Sequence, residues 1–162
     1  MAVVKKIGRF FALSFKEKRL FFEAYWTLGL MRLYILVRPF KHISAPLMQY
    51  ASQEEASVCC ADPYLEKEAR SIGRAIVRAA AYTPWQSACL AQSLTAWKML
   101  QKRSIDGYFV LGAKKENAHD GTLAAHAWSK CGNTFLTGKE GHENFTPISV
   151  FGWNKKLSKE TL

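Results

Sequence analysis

Residues 84–90 read PWQSACL, and further along the chain residues 124–128 read AAHAW. The first stretch decides the fold. The Thr83-Pro84-Trp85 break is followed by Leu90, Leu94, Trp97 and Leu100 at helical spacing, which predicts a helix from about Ser87 to Arg103. Cys89 falls in the first turn of that helix. SIDG at 104–107 breaks the pattern, and YFVLGA at 108–113 has the aromatic and β-branched content of a strand. A helix that opens on a cysteine is therefore followed by extended chain.

Working upstream, Asp62 as N-cap, Pro63 at the first helical position and Glu66 near the positive dipole end announce another helix. Its inward stripe is Ile72, Ile76 and Ala80, and it ends before Pro84. Downstream, the polar loop KKENAHDGT at 114–122 separates the first strand from LAAHAWSKC and TFL, two short strands joined at Gly132-Asn133 as a hairpin. FTPISVF at 145–151 forms a last extended segment before a polar tail with Lys155, Lys156 and Lys159. The second half thus reads as two helices and then four strands, an α+β domain with a small antiparallel sheet.

Residues 1–50 read as a helical module. Within LFFEAYWTLGLMRLYILV at 20–37, Phe22, Trp26, Leu30, Leu33 and Val37 share one broad face, read as the buried one, and Arg19, Glu23 and Arg32 mark a narrower polar side. Glu23 and Arg32 argue against a bilayer span. With Lys5, Lys6, Arg9, Lys16 and Lys18 nearby, contact with an anionic lipid surface is a further expectation. A stop at Pro39 precedes a shorter helical piece near Pro46. ASQEEASVCCA at 51–61 reads as a connection, which divides the chain into a basic, apolar helical segment at 1–55 and a domain at 56–162.

The 162 residues are 49% hydrophobic and 22% charged, enough to bury a core. Twenty-three Lys and Arg against 13 Asp and Glu give a net charge of +10, which favours an anionic partner. The cations are spread along the chain with no nucleic-acid motif, so nucleic-acid binding is not expected. The cysteines, Cys59, Cys60, Cys89 and Cys131, form neither a secreted disulfide framework nor a C-x-x-C zinc pattern, so a reducing cytoplasm is expected. The adjacent pair Cys59 and Cys60 has the chemistry for a soft metal or a redox switch, but reads more simply as small apolar filler. The apolar start FFALSF stops at Lys16 without a cleavage site and reads as retained rather than as a signal peptide.

A cysteine at a helix start feels unsatisfied amide N–H groups and the positive end of the dipole, which favours the nucleophilic thiolate. A histidine on a neighbouring strand can accept its proton and later return it to a leaving amine. Each residue alone reads more simply as core. Cys89 on a helix followed by His126 on a strand, in that chain order, is the arrangement of papain-like and transglutaminase-like enzymes on α+β scaffolds.

The run TPWQSACLAQSLTAWKMLQKRSIDGYFVLGAKK, then AAHAW, then GNTFLTGKEGHENFTPISVF, resembles the leader peptidases of lasso peptide biosynthesis, a bacterial transglutaminase-like cysteine protease family. The resemblance covers roughly residues 62–151, and the RPF turn at 38–40 is similar to the segment that leads into these enzymes. It implies removal of the leader from a ribosomally made precursor, with Cys89 attacking the scissile carbonyl and His126 as general base and then acid. It further implies that a separate cyclase, which uses ATP, closes the ring. The chain lacks an obvious recognition domain, so the stand-alone peptidase of the split type, working with a separate leader-recognition protein, fits best. No bound cofactor and no metal are expected.

Many members of that family place an aspartate about a dozen residues after the histidine, where this chain reads LTGKEG with Gly138 at the point concerned. Glu140 is the expected third member, with Asp120, a backbone carbonyl or a side-chain amide as alternatives. The Cys89 N–H and Gln86 are the expected oxyanion donors. Trp85 and Trp128 are read either as groove walls or as core, and His119 and His142 as surface histidines without metal-ligand spacing. Two other functions stay open: an acyltransferase that resolves the same thioester with an amine, and a non-enzymatic basic adaptor in which Cys89 is core.

Overall fold

The computed structural model describes residues 13–58, 63–115 and 122–153. It begins with α1 (Phe15–Val37), whose entry is a reciprocal capping box: Ser14 Oγ accepts from the Glu17 N–H, and the Glu17 carboxylate accepts from the Ser14 N–H. The helix stops at Arg38, which is extended because Pro39 follows it. Then come α2 (Phe40–Ser44), the short strand β1 (Met48–Tyr50), α3 (Gln53–Val58), α4 (Pro63–Ala80) and α5 (Cys89–Gln101). The chain finishes with β2 (Gly107–Lys115), β3 (Leu123–Cys131), β4 (Thr134–Thr137), a 3₁₀ turn at His142–Asn144 and β5 (Thr146–Trp153).

All neighbouring strands are antiparallel, in the order β1-β5-β2-β3-β4. Alternation along β2 assigns its two faces. Phe109 joins the core formed with α1, α4 and α5, while Tyr108 and Val110 face a second cluster with Trp128, Val150 and Ala56 of α3. The α+β class and the small antiparallel sheet expected from the sequence are those observed. The sheet has one strand more than predicted, because β1 is only three residues long and is held at the edge by β5, with the Tyr50 ring lying across Gly152. Three residues carry no readable period. The stretch expected as a plain connection contains α3. Cys59, Cys60 and Asp62 lie outside the described residues.

The long helix α1 corrects the sequence reading. Phe22, Trp26, Leu30, Leu33 and Val37, expected to face inward, are all exposed, and the buried face is Leu20, Phe21, Ala24 and Leu28. Both stripes are apolar at helical spacing, so periodicity selects neither. Small side chains distinguish the inner one: Ala24 is fully buried, and beside it Gly29 lets the Trp85 ring approach to where a Cβ would sit 3.1 Å from it. Glu23, expected on the polar side, lies under Arg103, which donates from Nη2 to Oε2 at 2.6 Å and from Nη1 to Oε1 at 3.1 Å. These hydrogen bonds hold the Glu23 carboxyl below its ordinary range, against the opposing effect of burial.

Helix α4 buries Ile72 and Ile76 as expected, and half-buries Ala80. It lies against β4 so closely that a Cβ on Gly73 would meet the Leu136 backbone at 2.7 Å. Leu94, Trp97 and Leu100 of α5 are buried in the same core as Leu20, Phe21, Ala24 and Leu28 of α1. The helices on either side of the expected boundary at 50–60 therefore share one core.

Candidate active site

Cys89 is the first residue of α5, and Ala88 before it is extended with no side chain to cap the helix. The first amide N–H groups of α5 thus have neither an intrahelical partner nor a capping side chain. The loop before the cysteine is pinned from several sides. Thr83 and Ser87 hydroxyls meet at 2.8 Å, Gln92 Nε2 donates to the Ser87 carbonyl at 2.9 Å, and the Trp85 ring packs on Tyr25 of α1 at 5.3 Å. Trp85 therefore anchors the cysteine loop to the N-terminal helix.

His126 sits on β3 opposite Gly112 of β2 and packs between the rings of Trp128, at 6.0 Å, and Phe145, at 5.1 Å. Its Nε2 is 2.9 Å from the carbonyl oxygen of Gly138. A carbonyl can only accept, so Nε2 carries the proton and Nδ1 of the neutral ring is left as the basic nitrogen. Gly138 has φ +68, and a Cβ there would lie 2.2 Å from the Ala127 carbonyl oxygen and 2.9 Å from the Trp128 Cα. The position expected to carry an aspartate admits no side chain, and its own backbone meets the imidazole instead.

Cys89 and His126 border one groove of about 420 Å³, together with Gln92 of α5, Val77 of α4 and the run Phe135–Glu140. Glu140 is exposed at this groove, and no hydrogen bond joins it to His126. Asp120 and His119 lie outside the described residues. Gln86 is exposed and is not among the lining residues, whereas Gln92 is. Trp128 is buried, donates to Gln53 Oε1 at 3.4 Å and lies across Gly112, so it is core rather than groove wall. His142 is half-buried, with Nδ1 2.6 Å from the Lys139 carbonyl and its ring 4.6 Å from Phe135. Cys131 is buried in the core, and no cluster of metal-ligating side chains exists among the described residues.

A set of hydroxyls that sequence reading missed links the two sides of the groove. Thr137 Oγ1 lies 2.7 Å from Ser129 Oγ and 3.4 Å from Ser93 Oγ, and all three residues are buried. Ser93 is one turn beyond Cys89, Ser129 is on the histidine strand, and Thr137 immediately precedes Gly138. Buried hydroxyls need partners, and these find them in one another. The contact therefore ties the cysteine helix, the histidine strand and the carbonyl that meets the imidazole into one unit. Isolated Ser and Thr in apolar runs are the only sequence signal for it.

Comparison with known proteins bears on the same residues. A family model described as the transglutaminase-like superfamily matches residues 34–150, from within α1 to within β5, a span that contains Cys89, His126 and Gly138. No curated protein and no solved structure matches the chain significantly.

Proposed function

We propose, from the premise that the chain belongs to the transglutaminase-like superfamily, that it is a cysteine peptidase that removes the leader from a ribosomally made lasso peptide precursor. The superfamily's chemistry is generally that of cysteine proteases and transglutaminases. The observation that carries the reading is Cys89 at the open start of α5 in one groove with His126, whose Nε2 is committed to the Gly138 carbonyl.

In this scheme Cys89 Sγ attacks the scissile carbonyl while its proton passes to His126 Nδ1. The Cys89 backbone N–H, without a partner inside the helix, would receive the developing oxyanion. His126 then protonates the leaving amine, which departs as the new N-terminus of the core peptide, and the leader remains as a thioester on Cys89. A water molecule that gives its proton to His126 attacks the thioester, freeing the leader with a terminal carboxylate and restoring the thiol. The Gly138 carbonyl orients the ring and accepts from its N–H throughout. Being neutral, it stabilises the imidazolium less than a carboxylate would. A separate leader-recognition protein would deliver the precursor, and a separate cyclase using ATP would consume the freed core.

The test is a mass time course of a lasso precursor, supplied with a leader-recognition protein, incubated with wild type or Cys89→Ala. Leader release by wild type alone is expected. Equal release by both, or by neither under conditions in which a related peptidase works, defeats the proposal; a product heavier than the peptide supplied would identify an acyltransferase instead.

A further inference from the structure

From Phe22 onward the outward face of α1 is apolar. Trp26 is 69% exposed, Leu30 61%, Leu33 57%, Leu36 66% and Val37 62%, while Ala24 and Leu28 on the opposite face are 0% exposed. Phe22, 53% exposed, begins the row, and at a rise of about 1.5 Å per residue the stretch from Phe22 to Val37 is roughly 22 Å long. Single exposed apolar side chains need no explanation, but a contiguous row of this length does.

Its ends supply a second observation. Lys16 and Arg19 are exposed at the start of the helix, and Arg38 and Lys41 just beyond its end, and none of the four takes part in an ion pair among the described residues. The two acidic residues of α1 are otherwise engaged, Glu17 with Ser14 and Glu23 with Arg103 and Lys102. Arg19, seven residues before Trp26, is two helical turns back along the same row. An apolar strip with a cation pair at each end is complementary to a surface of anionic headgroups over hydrocarbon.

We infer that α1 lays this face in the plane of an anionic lipid surface, so that Trp26, Leu30, Leu33, Leu36 and Val37 enter the acyl boundary and the four cations meet phosphate headgroups. The helix is long and apolar enough to cross a bilayer. It cannot do so while Leu20, Phe21, Ala24 and Leu28 remain in the core with α4 and α5. A second copy of the chain is a poorer occupant, because pairing two such stripes in either direction brings cation pair against cation pair on a chain of net charge +10. Lipid contact is independent of the peptidase reading: the groove is lined from α4, α5, β3 and the run Phe135–Glu140, not from α1.

The test is flotation of the full chain with vesicles of phosphatidylcholine alone or with about one-third phosphatidylglycerol, at low and high salt, for wild type, Leu30→Ser/Leu33→Ser/Leu36→Ser and Lys16→Glu/Arg19→Glu/Arg38→Glu/Lys41→Glu. Far-UV circular dichroism and light scattering confirm that each variant folds and report its oligomeric state. Wild type is expected to float with anionic vesicles at least about tenfold more than with neutral ones, less so at high salt, and each variant to lose about tenfold or more. Failure of wild type to bind anionic vesicles overturns the inference, as does binding that both folded variants retain. A wild-type dimer that the triple serine variant dissociates, without any vesicle binding, assigns the face to a second copy; binding only after a protein partner is added assigns it to that partner. Either result overturns lipid contact.

Discussion

The two sides of the groove are held by different means. The cysteine side is fixed by side chains: Thr83, Ser87 and Gln92 latch the loop, and Trp85 pins it to α1. The histidine side is fixed by backbone: His126 pairs with Gly112 of β2, β3 pairs with β4 just beyond it at Ser129–Cys131, and the group that meets the imidazole is the Gly138 carbonyl. The difference teaches that an orienting partner need not be a residue type. A carbonyl fixes the tautomer as a carboxylate does, provided the chain can bring it close, and the positive φ of Gly138 is what allows that.

If the chain carries out the proposed cleavage, removing Cys89 or His126 should have the largest effect and should fall equally on the two sides. Cys89→Ala and His126→Ala are each expected to lower kcat/KM for precursor cleavage by about 10³-fold or more, with melting temperatures near wild type. A split in which only one of them abolishes turnover breaks the comparison.

Gly138→Ala probes the backbone side alone. Its Cβ would fall against the Ala127 carbonyl in a left-handed conformation, so a loss of about 2–4 kcal/mol in denaturant unfolding is expected, together with a fall in kcat. Gln92→Ala on the side-chain side should leave the fold intact and cost about 0.5–1.5 kcal/mol. If Gly138→Ala were the milder of the two, the backbone would not be what holds the histidine.

Thr137→Val removes the hydroxyl shared by Ser93 and Ser129 and leaves both buried without that partner, for an expected loss of about 1–3 kcal/mol. A parallel fall in kcat at unchanged KM would sharpen the view that these hydroxyls set the spacing of the two sides. Glu23→Gln lies outside the groove and should cost about 1–2 kcal/mol with little change in turnover. Its sign with pH follows from the depressed carboxyl: the Glu23–Arg103 contribution is fully present above the unfolded value of about 4.5 and is lost as pH falls through the lower folded value, so wild type and variant should converge in acid. The smallest effect belongs to Glu140→Gln, expected to change kcat/KM less than about threefold, because no hydrogen bond joins Glu140 to His126.

Much of this was legible in the chain. Pro84 and the Leu90-Leu94-Trp97 repeat place Cys89 at a helix start, and the polar loop at 114–122 with the hairpin at Gly132-Asn133 places His126 on a strand. What stayed hidden was hidden for physical reasons. Every residue carries a carbonyl, so no residue type marks Gly138 as a partner. The hydroxyls of Ser93, Ser129 and Thr137 resemble any small polar residues until the sheet brings them together. The facing of α1 does not follow from its periodicity because the helix is apolar on two sides, and only the tertiary fit of Ala24 and Gly29 decides between them.

The pairing of Cys89 with His126 is tested most directly by iodoacetamide labelling below neutral pH, followed residue by residue with mass spectrometry in wild type and His126→Ala. Cys89 is expected to alkylate well ahead of Cys59, Cys60 and Cys131 and to slow at least about tenfold when His126 is replaced. Labelling of Cys89 no faster than the other cysteines, or at a rate indifferent to His126, would contradict the account.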